Sequence, residues 1–202
     1  MDIAVMANRI FDRCVADYHL SDDIDAPWKN PYDEDSLEGL LYVKCRIDAE
    51  QWHMEDIIRD TEIDPVEALE LKRRIDASNQ RRTDMVEELD SLFRERFADV
   101  VPLPEATINT ESPAWAIDRL SILALKLWHM SEQSERLDVD DEHRRRSAAR
   151  LDVLREQRAD LSQAIDTLLE DIQAGRKYMK VYRQMKLYND PDTNPVLYGK
   201  KR

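Results

Sequence analysis

The chain is poor in glycine, cysteine and histidine, with three, two and four respectively in 202 residues. So little glycine leaves few places for positive-φ turns and argues for long, regular elements. The two cysteines, Cys14 and Cys45, fall in helical stretches and read as reduced core residues rather than a disulfide. No apolar run approaches the roughly 18 residues that a membrane span needs, and no segment shows the alternation of a half-buried strand. The start, Met1-Asp2, lacks a basic region followed by an apolar one. No signal peptide is therefore expected, and the expected compartment is the cytoplasm. The net charge of −13 argues against the body of the protein binding nucleic acid or an anionic membrane.

Charge is what the chain has in abundance. Charged residues make up 36% and hydrophobic residues 42%, the balance of long helices with solvated faces. The length suits one domain over residues 1–202. Helical spacing of apolar residues predicts a first helix over 2–19 and a second from about Ser36 to Asp60, separated by an acidic loop holding Trp28, Pro27 and Pro31. A third helix opens at Asp64-Pro65, with Glu67 completing a capping box, and runs to about Phe97. Pro102 and Pro104 make the next stretch extended. Ser112-Pro113 opens a fourth helix, to about Arg136, whose apolar middle (Leu120 to Trp128) belongs at the centre of a bundle. A last long helix is expected over about 142–188, kinked at Gly175. The fold expected is all-α, an antiparallel bundle of about five helices with a long C-terminal helix.

The same triplet occurs twice, in Trp52-His53-Met54-Glu55-Asp56 and Trp128-His129-Met130-Ser131-Glu132. Each copy has an acid three residues after the histidine, one turn along the same helical face. Two such imidazole–carboxylate pairs on facing helices could make a polar pocket in a bundle. The order differs from the Glu-x-x-His of di-iron bundles, because here the histidine precedes the acid. His19 and His143 lack this setting and are expected to be solvated.

Polar residues on core-facing stripes are a further clue, because burial disfavours them unless they are paired or ligated. Asp48, Glu55, Asp56 and Arg59 lie on neighbouring rows of the second helix. Asp76 and Asn79 are taken as interruptions of the apolar stripe of the third, and Asp118, His129 and Glu132 share a face of the fourth. The expected metal ligands are Glu55, Asp56, Asp76 and Asn79, with His53, His129 and Glu55 as catalytic groups. Carboxylate and amide oxygens suit Mg²⁺ or Mn²⁺, and added imidazoles would admit zinc or iron. Asn109 and Glu111 precede a helix start, where free amides can hold an anion. Arg59, Arg183 and Lys186 are the expected phosphate-binding groups, and Asn189 belongs to a turn expected to close over the pocket. Residues 176–202 carry eight basic and two acidic side chains with interleaved tyrosines, a segment expected to dock on the acidic body.

Two functions fit these residues. One is a divalent-metal-dependent hydrolase of a phosphorylated small molecule or nucleotide. The other is a non-catalytic binding or assembly protein, compatible with a homo-oligomer, whose polar cluster sets packing specificity. Five strings together carry a resemblance: 51–59 (QWHMEDIIR), 63–67 (IDPVE), 72–80 (KRRIDASNQ), 109–115 (NTESPAW) and 188–191 (YNDP). They resemble the bacterial family known as domain of unknown function 4254. The resemblance implies a helical bacterial protein and carries over no catalytic role.

Overall fold

The computed structural model describes residues 3–185, 187 and 190–199. In chain order the elements are α1 (Ile3–Tyr18), α2 (Leu37–Ile57), α3 (Pro65–Arg96), β1 (Thr107–Ile108), α4 (Pro113–Glu135), α5 (Asp141–Gln173), β2 (Lys177–Tyr178) and α6 (Pro195–Tyr198). The fold is all-α, with two strands of two residues each in a parallel pair.

The helix starts follow local chemistry. Ser36 caps α2 by accepting from the Gly39 N–H. Asp64 accepts from Val66 and Glu67 ahead of Pro65, and Ser112 accepts from Trp115 ahead of Pro113. Each cap satisfies amides that the helix leaves without a partner.

Directions follow from side-chain pairs. Ala4 N–H donates to Asp166, Asn8 to Ser162, and Arg158 to Asp12, so α1 and α5 are antiparallel. Gln51 reaches Asn79 and Arg82 reaches Asp48, so α2 and α3 are antiparallel. Lys44 meets Asp118, Ser121 meets Asp48 and His53 meets His129, so α2 and α4 run the same way. Central α4 packs on all four other long helices. Phe11, Cys14, Leu41, Cys45, Leu89 and Leu120 are among the residues of one continuous core. Cys14 and Cys45 are buried, free thiols, as expected.

The last long helix ends earlier than its periodicity suggests. It stops at Gln173 instead of continuing to 188. Gly175 adopts φ 71°, and a Cβ there would sit 2.8 Å from the Val101 carbonyl oxygen. Its own carbonyl accepts from Leu103 N–H at 2.9 Å. The proline-rich stretch therefore docks across the helix end and redirects the chain. It turns into β2, which pairs Lys177 with Thr107 and Tyr178 with Ile108. Gly175 is thus a terminator in the left-handed region, not a kink.

Candidate metal centre

The C-terminal ends of α1, α2 and α4 meet, and each brings an aromatic–histidine pair: Tyr18-His19, Trp52-His53 and Trp128-His129. The imidazole centres form a nearly equilateral triangle, with separations of 5.2 Å (His19–His53), 5.1 Å (His19–His129) and 5.3 Å (His53–His129). All three pairs are edge-on, with interplanar angles of 67–71°. Around them the aromatic rings close a circuit. Tyr18 stacks on His53 at 4.6 Å, Trp52 on His129 at 5.2 Å, and Trp128 on His19 at 4.6 Å. Each segment supplies a ring face to the histidine of another.

Hydrogen bonds fix which nitrogen faces inward. His19 Nδ1 lies 2.7 Å from the Val15 carbonyl oxygen, which can only accept, so Nδ1 carries the proton. His129 Nδ1 lies 3.0 Å from a Glu132 carboxylate oxygen, which imposes the same tautomer. The other oxygen of Glu132 accepts from the Trp128 indole at 3.1 Å. His53 Nδ1 faces Asp22 at 3.9 Å. The three Nε2 atoms are buried and accept no hydrogen bond, and one donor atom from each ring lies within 4.8 Å of the others. Burial, together with the neighbouring His129 and His19, holds His53 below the ordinary imidazole pKa and so favours its neutral form. Burial also pushes Tyr18 up to about 12.

Three imidazoles so placed could hold one borderline metal ion. A tetrahedral ion about 2.0–2.1 Å from each nitrogen would set the ring centres about 5.2 Å apart. Partners on Nδ1 that orient the ring and leave Nε2 for the metal are a regular feature of histidine sites. Among the described residues, this is the group of three or more histidine, cysteine or acidic side chains close enough to share an ion.

The sequence-expected ligands gather elsewhere. Glu55 and Asp56 line a cleft of about 250 Å³ between α2, α3 and α4, and there flank Arg59 at 3.7 and 3.8 Å. Asp56 does not pair with His53. Asp76 is exposed and bonded to Lys72, while Asn79 accepts from Gln51 at 2.9 Å. The buried row of α3 runs Leu71, Ile75, Ser78, Val86, Leu89 and Phe93, which leaves Asp76 one position off it. Asn109 donates to the Glu111 carbonyl oxygen at 3.3 Å, and Glu111 pairs with Arg119 at 2.9 Å. The α4 amides expected to hold an external anion are instead met by Asp90, which accepts from Ala114 N–H at 3.1 Å and from the Ser112 hydroxyl at 2.5 Å. Arg183 is exposed on the C-terminal segment. Lys186 and Asn189 lie outside the described residues.

Two features escaped the sequence reading. His19, expected to be solvated, is half-buried in the triangle. Its signal was present: Tyr18-His19-Leu20-Ser21-Asp22 repeats the aromatic–His–apolar–x–acid order of the two Trp-His-Met strings. The second feature is a buried ion quartet. Lys44, 0% exposed, bonds Asp48 and lies 2.7 Å from Asp118. Arg82 grips both oxygens of Asp118, at 2.9 and 2.5 Å, and Ser121 donates to Asp48 at 2.5 Å. Burial raises the pKa of Asp48 despite Lys44. For Asp118 burial acts in the same direction, but Lys44 and Arg82 outweigh it and hold the carboxyl below its usual range.

Fold and site together define a helical bundle with a histidine-lined centre at one end. Residues 38–181 match the family described as protein of unknown function (DUF4254), and the chain belongs to that family. His53 and His129 fall inside the matched region; His19 precedes it. No curated protein and no solved structure matches the chain.

Proposed function

We propose that this protein is a metal-dependent hydrolase whose ion is held by His19, His53 and His129, with zinc the ion the donors suit best. The observation that carries this reading is the convergence of three buried Nε2 lone pairs on rings spaced as a tetrahedral ion requires. Three neutral imidazoles favour zinc, iron or copper over the magnesium or manganese that the carboxylates suggested. His53 and His129 are 18% and 23% exposed at the side chain, so water reaches the rim of the rings although the three Nε2 atoms are themselves buried. Three protein ligands plus water is the pattern of catalytic zinc, which lowers the pKa of the bound water to about 7.

Support for a phosphorylated substrate is thinner. Arg59 and Arg82 both have carboxylate partners, and Arg183 and Asn109 do not reach the centre. A second reading, in which the ion only clamps three helix ends, is favoured by one observation: the cleft between α2, α3 and α4 is not lined by the imidazoles.

Metal analysis of protein purified without chelator should find about one zinc per chain. His19→Ala should abolish that stoichiometry while the helical circular dichroism persists. Turnover of an activated ester, lost with chelator and restored by zinc, would support hydrolysis. Stoichiometric zinc without turnover would leave the clamp. No bound metal of any kind would sink both.

A further inference from the structure

The cleft between α2, α3 and α4 holds an arrangement that the metal centre does not use. Asp48, Gln51, Trp52 and Glu55 line it from α2, Arg82 from α3 and Ile122 from α4. Two buried oxygens there, Asp48 Oδ1 and Gln51 Oε1, accept no hydrogen bond. Asp48 is 2% exposed. Arg82 Nε lies 3.3 Å from Asp48 Oδ1, but its single hydrogen goes to Asp118 at 2.9 Å. One hydrogen of the Gln51 amide nitrogen goes to Asn79 at 2.9 Å. Arg59, Arg82 and the Trp52 indole also bring N–H groups to the cleft, but both guanidiniums already face carboxylates, whereas these two oxygens accept from none, and a buried acceptor left unmet is disfavoured by about 1–3 kcal/mol.

Charge points the same way. The acids in and behind the cleft are Asp48, Glu55, Asp56 and Asp118; the bases are Lys44, Arg59 and Arg82. Each base already has a carboxylate partner, and the formal balance is one negative charge. A phosphate dianion would deepen it, whereas a monocation would cancel it. The volume of about 250 Å³ equals roughly eight waters at about 30 Å³ each, enough for a small ligand. The Trp52 ring adds an aromatic wall of the kind that attracts organic cations.

We propose that this cleft binds a small organic cation of the guanidinium or primary ammonium class, its N–H groups donating to Asp48 Oδ1 and Gln51 Oε1. The assignment is independent of the metal centre, although Trp52 borders both. It reverses the expectation of a phosphorylated ligand in this part of the protein.

The test is a titration of chelator-treated protein with methylguanidinium, n-butylammonium and inorganic phosphate as separate probes. It is followed at the Trp52 indole N–H resonance, assigned by its loss in Trp52→Phe. The expected result is a saturable shift with at least one cation and none with phosphate. Gln51→Met removes one acceptor at a half-exposed position and should weaken the cation at least tenfold while keeping the helical spectrum. Asp48→Asn should weaken it further if that variant folds. Saturation by phosphate alone, no saturation by any probe, or unchanged cation binding in Gln51→Met would each overturn the assignment. Because the protein is metal-free throughout, failure here leaves the trihistidine reading untouched, and the reverse also holds.

Discussion

Replacing Asp22 separates the stability of the fold from the affinity of the proposed metal centre. Asp22 follows α1 at φ 49°, in the left-handed region, with its N–H donating to the Tyr18 carbonyl oxygen at 3.1 Å. A side chain in that region is disfavoured by about 1–2 kcal/mol, less for aspartate, and glycine relieves it. Glycine in turn loses more backbone freedom on folding, by about 0.5–1 kcal/mol. The two nearly cancel, so metal-free Asp22→Gly should melt within about 3 °C of the parent. The carboxylate, however, faces His53 Nδ1 at 3.9 Å. An ion on the far nitrogen of that ring would lie about 7–8 Å from it, where a divalent charge gains about 1 kcal/mol at the dielectric of water. The aspartate side chain is 64% exposed, so that value is the relevant one. Zinc affinity, measured by competition with a chromophoric chelator, should therefore fall roughly five- to tenfold in both Asp22→Gly and Asp22→Asn. The loss should shrink as salt is added. Unchanged affinity in both variants, or a loss insensitive to salt, would refute the electrostatic argument. A large drop in metal-free melting temperature would refute the backbone argument.

The remaining tests concern the bundle itself. Lys44→Met leaves Asp48 and Asp118 buried with one base fewer, and should reduce stability by about 3–5 kcal/mol in urea unfolding. The Lys44→Met/Asp48→Asn double variant should recover most of that, and a double variant weaker than the single would contradict the pairing. Because His53 is held below the ordinary imidazole pKa of about 6.5, its unfolded form takes a proton first as pH falls. The metal-free protein should thus be most stable above about pH 6.5 and lose stability through and below it, and His53→Gln should flatten that dependence in urea midpoints read across pH. Gly175→Ala combines a left-handed φ with a 2.8 Å approach to the Val101 carbonyl oxygen. It should lower stability by about 1–2 kcal/mol, seen as a lower urea midpoint with an unchanged slope.

Much of the fold was legible because its signals are local. The caps at Asp64 and Ser112 each need only a few consecutive residues, and both stand where the sequence places them. The end of α5 was not legible, because what stops it is the docking of residues some seventy positions earlier in the chain. Asp76 was misplaced because it directly follows buried Ile75, and one step around a helix moves a residue from seam to solvent. Lys44 was missed because nothing adjacent to it signals burial; its partners come from the next turn and from α4. The site was half legible. Trp-His-Met marked two corners of the triangle, but requiring tryptophan hid the third, where tyrosine serves as the flat ring.

The cyclic stacking has a consequence for assembly. No segment stacks a ring face on its own imidazole; Tyr18 serves His53, Trp52 serves His129 and Trp128 serves His19, while Tyr18 meets His19 only edge-on. The cluster is therefore an interlock, since any two segments brought together leave one imidazole unstacked. Its completion brings together three helix ends that stand between residue 18 and residue 129 of the chain, and loosening any one of them strips a stacked ring from the imidazole of another.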